Sequence, residues 1–208
     1  RRSLRLPSLI LAPTLYSAAH VFVESPKLLE EITARFPWVA SKVSVVPPGV
    51  NSPAATQQAV SSSVESILPP KFFLHVGSLE EKIRIFKVIE AFSKVAHRPR
   101  FKKVGLVFVA TAADKLESWH EVAAQFSLKD RVFFVPNLPR NEFLALLSRS
   151  EALVYSGASL ELPPIVYQAA AFKKPVLVSM DPEDAKFFDI AGALIPFVSN
   201  NAKNLAEK

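Results

Sequence analysis

The residues best placed for chemistry follow the first long apolar run of the chain. That run ends at Gly77 and Ser78, and Lys82 and Arg84 come a few residues later, where a helical pattern begins. In an open parallel sheet, ligands bind beyond the carboxyl ends of the strands, where helix N-termini attract phosphate. Gly77 permits a tight turn, and the two cations would meet a diphosphate. The spacing therefore predicts an anion site at this loop.

Several other kinds of site lack the residues they need. The chain has no cysteine, so it has no disulfide, thiolate nucleophile or cysteine metal site. Its histidines are scattered without HxxxH or HExxH spacing, at His20, His75, His97 and His120. Zinc binding is disfavoured by this scatter. We expect no metal and no cofactor, so a nucleotide sugar would enter as a substrate.

Short β-branched and aromatic runs alternate with helical-period segments from Lys42 onward, which is typical of βαβ units. The predicted strands are Val43–Val46, Phe72–Val76, Val104–Ala110, Val132–Val135, Ala152–Tyr155 and Pro175–Ser179, with Leu194–Phe197 as a seventh at the edge. The predicted helices are Ile83–Ala96, Leu116–Phe126, Asn141–Ser150 and Pro164–Phe172. We therefore predict an α/β fold with a Rossmann-like, doubly wound parallel sheet.

The pattern also predicts how the chain is divided. Residues 42–208 form the Rossmann-like domain, and the proline-rich stretch 47–70 is a long loop or linker within it. Residues 1–41 are either the end of a preceding domain or an N-terminal extension. The Arg-rich, acid-poor start is also the composition of a mitochondrial transit peptide, so mitochondrial import stays open.

The order of five segments resembles the C-terminal domain of the family-four retaining glycosyltransferases, from about Val21 onward. The segments are Val45–Val50, Phe73–Gly77, Ile89–Phe92, Asp130–Phe134 and Gln168–Ala171. The resemblance implies one half of a GT-B fold. It also implies that this half binds the nucleotide part of a UDP-, GDP- or ADP-sugar.

The same resemblance assigns site residues by position. It implies catalytic roles for Glu161 and Lys82. It implies donor binding by Gly77, Ser78, Arg84, Val135, Asn137, Leu138 and Gln168.

The chain departs from the family pattern at several of these positions. Ser78 stands where the family has arginine, Lys82 lies about one residue early, and Gln168 replaces a glutamate. Prolines at 163 and 164 replace glycines of the family's donor loop, and they remove backbone donors.

Because the segment order matches the family while several site residues differ, two functions are possible. The first is a retaining transferase of hexosyl or mannosyl type, with an unknown acceptor. The second is a catalytically inactive, glycosyltransferase-like accessory subunit with protein partners. A basic nucleic-acid-binding module is disfavoured because acids interrupt the Lys and Arg residues along most of the chain, despite a net charge of +6.

Composition sets the expected location. No stretch reaches the roughly 18 to 20 apolar residues that a membrane span requires. We expect an intracellular protein, cytosolic or membrane-associated.

Overall fold

Six parallel strands form the main sheet of the protein. The computed structural model describes residues 8–50, 60–77, 81–109, 116–135, 137–157, 162–186, 188 and 192–208. The six strands are β3 (Lys71–Val76), β4 (Val104–Val109), β5 (Val132–Val135), β6 (Ala152–Tyr155), β7 (Val176–Ser179) and β8 (Leu194–Phe197). They lie in the order β5-β4-β3-β6-β7-β8, and every pair is parallel.

Helices cover both faces of this sheet. The helices of the main domain are α3 (Ser62–Glu65), α4 (Lys82–Ala96), α5 (Leu116–Gln125), α6 (Arg140–Arg149), α7 (Pro164–Ala171), α8 (Pro182–Ala185) and α9 (Ala202–Glu207). One buried cluster joins α4, α5 and α9 to the sheet, and a second joins α3, α6 and α7 to the opposite face. Every residue of β4 is buried, which explains why that strand is a continuous apolar run. The predicted doubly wound, Rossmann-like fold is confirmed.

The two central strands mark the point where the winding of the sheet reverses. From β3 the chain proceeds outward to β4 and β5, and from β6 it proceeds outward the other way to β7 and β8. The neighbours β3 and β6 pair directly, with His75 beside Val154. Loops that leave the carboxyl ends of β3 and β6 therefore diverge and leave a crevice, which is where open α/β sheets bind ligands.

The N-terminal residues form a separate small layer. It contains α1 (Ser8–Ser17), β1 (Val21–Val23), α2 (Pro26–Arg35), a 3₁₀ helix (Pro37–Lys42) and β2 (Val43–Val45), around its own buried cluster. The ammonium of Lys42 donates to the carbonyls of Tyr16 and Ala18, at 2.9 and 2.7 Å, and so caps the end of α1. An ion pair of 2.5 Å between Lys27 and Asp184 connects this layer to α8.

One predicted strand was placed in the wrong sheet. Val43–Val46 was predicted as a strand of the main sheet, but Val43–Val45 pairs in parallel with β1 instead. In a three-residue strand such as β1 the alternation of apolar and polar residues is too short to detect. The pairing of β1 with β2 could therefore not be predicted. Leu194–Phe197 is confirmed as the edge strand, while Ala110, the expected last residue of β4, lies outside the described residues.

No helix among the described residues is long and apolar enough to cross a membrane.

We predict that Gly105→Ala destabilises the fold. A Cβ at Gly105 would lie 2.5 Å from Pro69 Cγ and 3.0 Å from a ring carbon of Phe133, so the ring of Pro69 would have to move. Overpacking of this kind costs about 1–3 kcal/mol in the free energy of unfolding, measured by urea denaturation. Gly49→Ala is the matched control, because a Cβ there meets no described atom within 4 Å. Equal stability of the two variants would contradict the prediction.

Candidate functional site at the carboxyl edge of the sheet

A hydrogen-bonded group of side chains joins the two central strands at their carboxyl ends. His75, near the end of β3, has its Nε2 2.8 Å from the hydroxyl of Ser156, which directly follows β6. Arg84, in the first turns of α4, donates from Nη1 to the carbonyl oxygen of Ser156 at 2.7 Å. The end of β3 and the start of α4 thus both contact Ser156, which lies 81 and 72 residues further along the chain.

The imidazole of His75 is held neutral by its surroundings. The residue is 1% exposed and its ring lies 4.8 Å from that of Phe108. Burial lowers the pKa of His75 to about 3. Its Nδ1 has no hydrogen-bond partner among the described residues. His75 therefore holds the loop of Ser156 in place and supplies no charge at neutral pH.

Arg84 is a partly buried cation at this crevice, and a carboxylate already accompanies it. Glu81 lies 2.9 Å from Arg84 Nε, and the side chains of Arg84 and Glu81 are 20% and 47% exposed. Both charges act on Tyr155. Burial and then the charge of Glu81 raise the pKa of Tyr155, whereas the charge of Arg84 lowers it. The charge of Arg84 is thus partly neutralised in this state.

Two glycines leave room for side chains that lie two residues before them in the chain. Gly77 follows β3, and a Cβ there would lie 3.3 Å from Cε1 of His75. A Cβ at Gly157 would lie 2.2 Å from the hydroxyl oxygen of Tyr155, so the phenol ring can fold over this loop only because residue 157 is glycine. The carboxyl edge of β6 is therefore shaped by its own aromatic side chain.

A small cavity with polar and apolar lining residues lies beside the group. Its volume is about 10 Å³, the size that holds one water, and its lining includes Arg84, Ser156, Ser179 and Asn201. The hydroxyl of Ser179, at the end of β7, has no hydrogen-bond partner among the described residues. A single water in this cavity would satisfy it.

The structure brings together part of the site expected from sequence. Gly77, Lys82 and Arg84 all lie at the crevice between β3 and β6, with Lys82 exposed at the first position of α4. Ser78 and Glu161 lie outside the described residues.

The residues expected to meet the nucleobase lie further along the edge. Val135 is the buried last residue of β5, Asn137 is exposed, and Leu138 packs against the core under the sheet. Because β5 is two strands from β3, these residues are about 10 Å from the central crevice. They flank the crevice on one side.

Gln168 is buried, although the sequence resemblance implies that it contacts the donor. The side chain is 3% exposed on α7, among residues that pack against β6 and β7. Its amide therefore lies inside the domain, where it has an internal partner.

Sequence reasoning missed Ser156, Tyr155 and Glu81. The signal for Ser156 and Tyr155 was present, because a Tyr-Ser-Gly sequence directly follows a predicted strand. Using that signal requires knowing that β6 is the neighbour of β3, and strand order cannot be read from the chain alone. Among the described residues no group of three or more His, Asp or Glu side chains could hold a metal ion.

Comparison with family models gives a clear result. The model of the glycosyl transferases group 1 family matches residues 56–208, which include the whole six-stranded sheet. The chain belongs to this family. No curated protein matches the sequence.

Solved structures show the same fold in larger proteins. A glycosyltransferase from Rickettsia africae ESF-5 has a TM-score of 0.69 at 16% identity, covering 90% of this chain and 51% of its own. Sucrose-phosphate synthase from Thermosynechococcus elongatus has a TM-score of 0.67 at 21% identity, covering 96% and 50%. Anabaena HepE in complex with UDP has a TM-score of 0.66 at 14% identity, covering 91% and 52%. This group 1 chain thus spans about half the length of these relatives.

We predict that His75 makes the stability of this domain depend on pH. Its pKa is about 3 in the folded state, against an ordinary value of 6.5, so below about pH 6 the unfolded chain binds a proton that the folded chain excludes. Stability therefore falls as the pH is lowered. Between about pH 7 and about pH 5 the loss from His75 is about 2 kcal/mol.

His75→Gln keeps a hydrogen-bonding group near Ser156 and does not titrate. Urea denaturation at the two pH values should show a smaller pH-dependent loss for this variant than for the original chain. Parallel losses would show that His75 is not the titrating group.

Proposed function

We propose that this domain binds the diphosphate of a nucleotide sugar at the crevice between β3 and β6, as one half of a glycosyltransferase. One observation carries the proposal. At the point where the winding reverses, the structure gathers Gly77, the first turn of α4, Lys82 and Arg84. A glycine turn, a helix N-terminus and two cations are the groups that bind diphosphate at such a crevice.

The comparisons support the choice of ligand. HepE was solved with UDP and with UDP-glucose, and a group 1 sequence model covers the same sheet in this chain. We therefore take a uridine diphosphate sugar as the first donor to test. The acceptor and the identity of the sugar belong to the whole protein.

The proposed chemistry is transfer of the glycosyl group with charge support for the leaving diphosphate. The bond between the anomeric carbon and the diphosphate oxygen breaks, a bond to an acceptor hydroxyl forms, and that hydroxyl loses its proton. Lys82, Arg84 and the N-terminus of α4 would stabilise the negative charge that develops on the diphosphate. Retention at the anomeric carbon and a role for Glu161 rest on the sequence resemblance.

Two observations favour the accessory alternative. Glu81 already neutralises part of Arg84, and Gln168 is buried where the family has a carboxylate that contacts the donor. A domain that keeps the fold while its ligand-binding side chains are neutralised or buried would serve as a structural subunit. Nucleotide binding distinguishes the two functions directly.

We predict that the chain binds UDP and that Lys82→Gln weakens this binding. Loss of one charge-assisted contact to phosphate costs about 1.5–3 kcal/mol, so the dissociation constant should rise by tenfold or more in titration calorimetry. Lys94→Gln is the matched control, because Lys94 is an exposed lysine near the other end of the same helix.

Two results would count against the donor site. Absence of heat with UDP, GDP and ADP at millimolar concentration would remove the proposed function and favour the accessory subunit. Equal weakening by both lysine variants would show that the effect is net charge rather than a site at Lys82.

We predict that Glu81→Gln strengthens UDP binding. The carboxylate of Glu81 competes with phosphate for Arg84, and its exposed position means that the competition is modest. We expect a decrease of about two- to fivefold in the dissociation constant, largest at low salt. Glu121→Gln on α5 removes the same charge from an exposed position elsewhere and should leave affinity unchanged. Weaker binding by Glu81→Gln would mean that Glu81 orients Arg84 for the ligand.

A further inference from the structure

The basic residues of the main domain gather at the edge opposite the proposed donor site. Because all six strands are parallel, the segments that lead into them meet at one edge, here called the amino edge. The described acids at this edge are Asp130, Glu151 and Glu207. Its described cations are Lys71, Arg98, Arg100, Lys102, Lys103, Lys129, Arg131, Lys173, Lys174 and Lys208. Acids interrupt the cations along the sequence, but folding places much of the net charge of +6 on this edge.

The densest part of this edge is held in a fixed conformation. Residues 97–103 contain two arginines, two lysines and no acid, and a short 3₁₀ helix spans Pro99–Phe101. Arg131 fixes the backbone of this segment by donating to the carbonyls of Phe101 and Val104, at 2.6 and 3.0 Å. Arg98 and Arg100 remain exposed. The cations are therefore presented by an ordered turn.

A large apolar cavity opens at the same edge. Its volume is about 600 Å³, within the roughly 300–1,000 Å³ of pockets that hold small molecules. It lies between α4, α9 and the sheet, and its apolar lining includes Phe73, Phe92, Val95, Leu177 and Ile195.

Charged residues surround the mouth of this cavity. The exposed charged residues that line it are four cations, Lys71, Arg98, Arg100 and Lys208, and two acids, Glu151 and Glu207. Lys71 lies 3.7 Å from Glu151. An apolar interior with a mainly cationic mouth complements a molecule that has an apolar chain and an anionic head.

We propose that the amino edge docks on an anionic phospholipid bilayer, with lipid headgroups on residues 97–103 and Lys71 and an acyl chain in the cavity. Charge complementarity carries the choice of partner, because basic clusters of this size bind anionic bilayers. The cavity favours a lipid over a nucleic acid, which offers no chain to fill an apolar space. The inference is independent of sugar transfer, since it uses the opposite edge of the sheet.

Flotation of the 208-residue chain with vesicles tests the headgroup contacts. Vesicles of phosphatidylcholine with about a third phosphatidylserine should bind the chain, and pure phosphatidylcholine vesicles should not. Arg98→Gln with Arg100→Gln should weaken binding by about twenty- to thirtyfold, about fivefold for each charge. Lys186→Gln with Lys203→Gln removes two exposed cations from segments that follow the carboxyl ends of β7 and β8, and should leave binding unchanged.

Ala206→Phe tests the acyl chain. Ala206 lines the cavity from α9, so a phenyl ring there would occupy the space. This variant should bind monododecyl phosphate less tightly than the original chain by fluorescence titration, with unchanged thermal unfolding. Equal binding of monododecyl phosphate by both chains would overturn the proposal. The proposal would also be overturned if the two double charge variants lost vesicle binding equally, or if neutral vesicles bound the chain as well as anionic vesicles. Tighter binding to duplex DNA than to anionic vesicles at the same salt concentration would overturn it too.

Discussion

The direct pairing of β3 with β6 is the constraint on which the rest of the structure depends. This contact, with Phe73, Leu74 and His75 beside Ala152, Leu153 and Val154, joins two halves of the sheet that wind in opposite directions. It also makes Gly77 and Ser156 neighbours although they are far apart in sequence. The crevice exists because no crossover helix bridges these two strands. Any ligand site at this edge depends on that pairing first.

The polar group at the crevice follows from the same pairing. A neutral histidine is tolerable inside the sheet because Ser156 meets one of its nitrogens, and the Ser156 carbonyl in turn holds Arg84. Arg84 could not project fully into solvent without giving up that bond. These hydrogen bonds therefore fix the position of Arg84. Its ion pair with Glu81 reduces the positive charge that would act on a ligand. The residues that hold this edge together are therefore also residues of the proposed donor site.

The fold could be predicted because its signals are local. The burial of β4 can be predicted from its continuous apolar run, and that of α4 from its amphipathic pattern. Both patterns lie within a few residues of sequence. The assignment of Val43–Val45 to the main sheet was wrong because strand pairing is a property of distant segments. The same limit hid Ser156, whose importance depends on the strand order. Gly77 and Lys82 could be assigned to the carboxyl edge from sequence because they follow β3 within six residues, while their role in binding stays a prediction.

Charge shows most clearly what folding adds to sequence. Along the chain Lys71, Lys103 and Lys174 are about thirty or more residues apart, with acids between them, yet parallel strands bring all three to one edge. A parallel sheet sorts residues by their position relative to strand ends, so residues just before strands share one edge and residues just after strands share the other. In this chain the first edge is strongly basic with an apolar cavity beneath it, whereas at the second edge Glu81 partly neutralises Arg84. Two surfaces with different chemistry can therefore arise from one evenly mixed sequence.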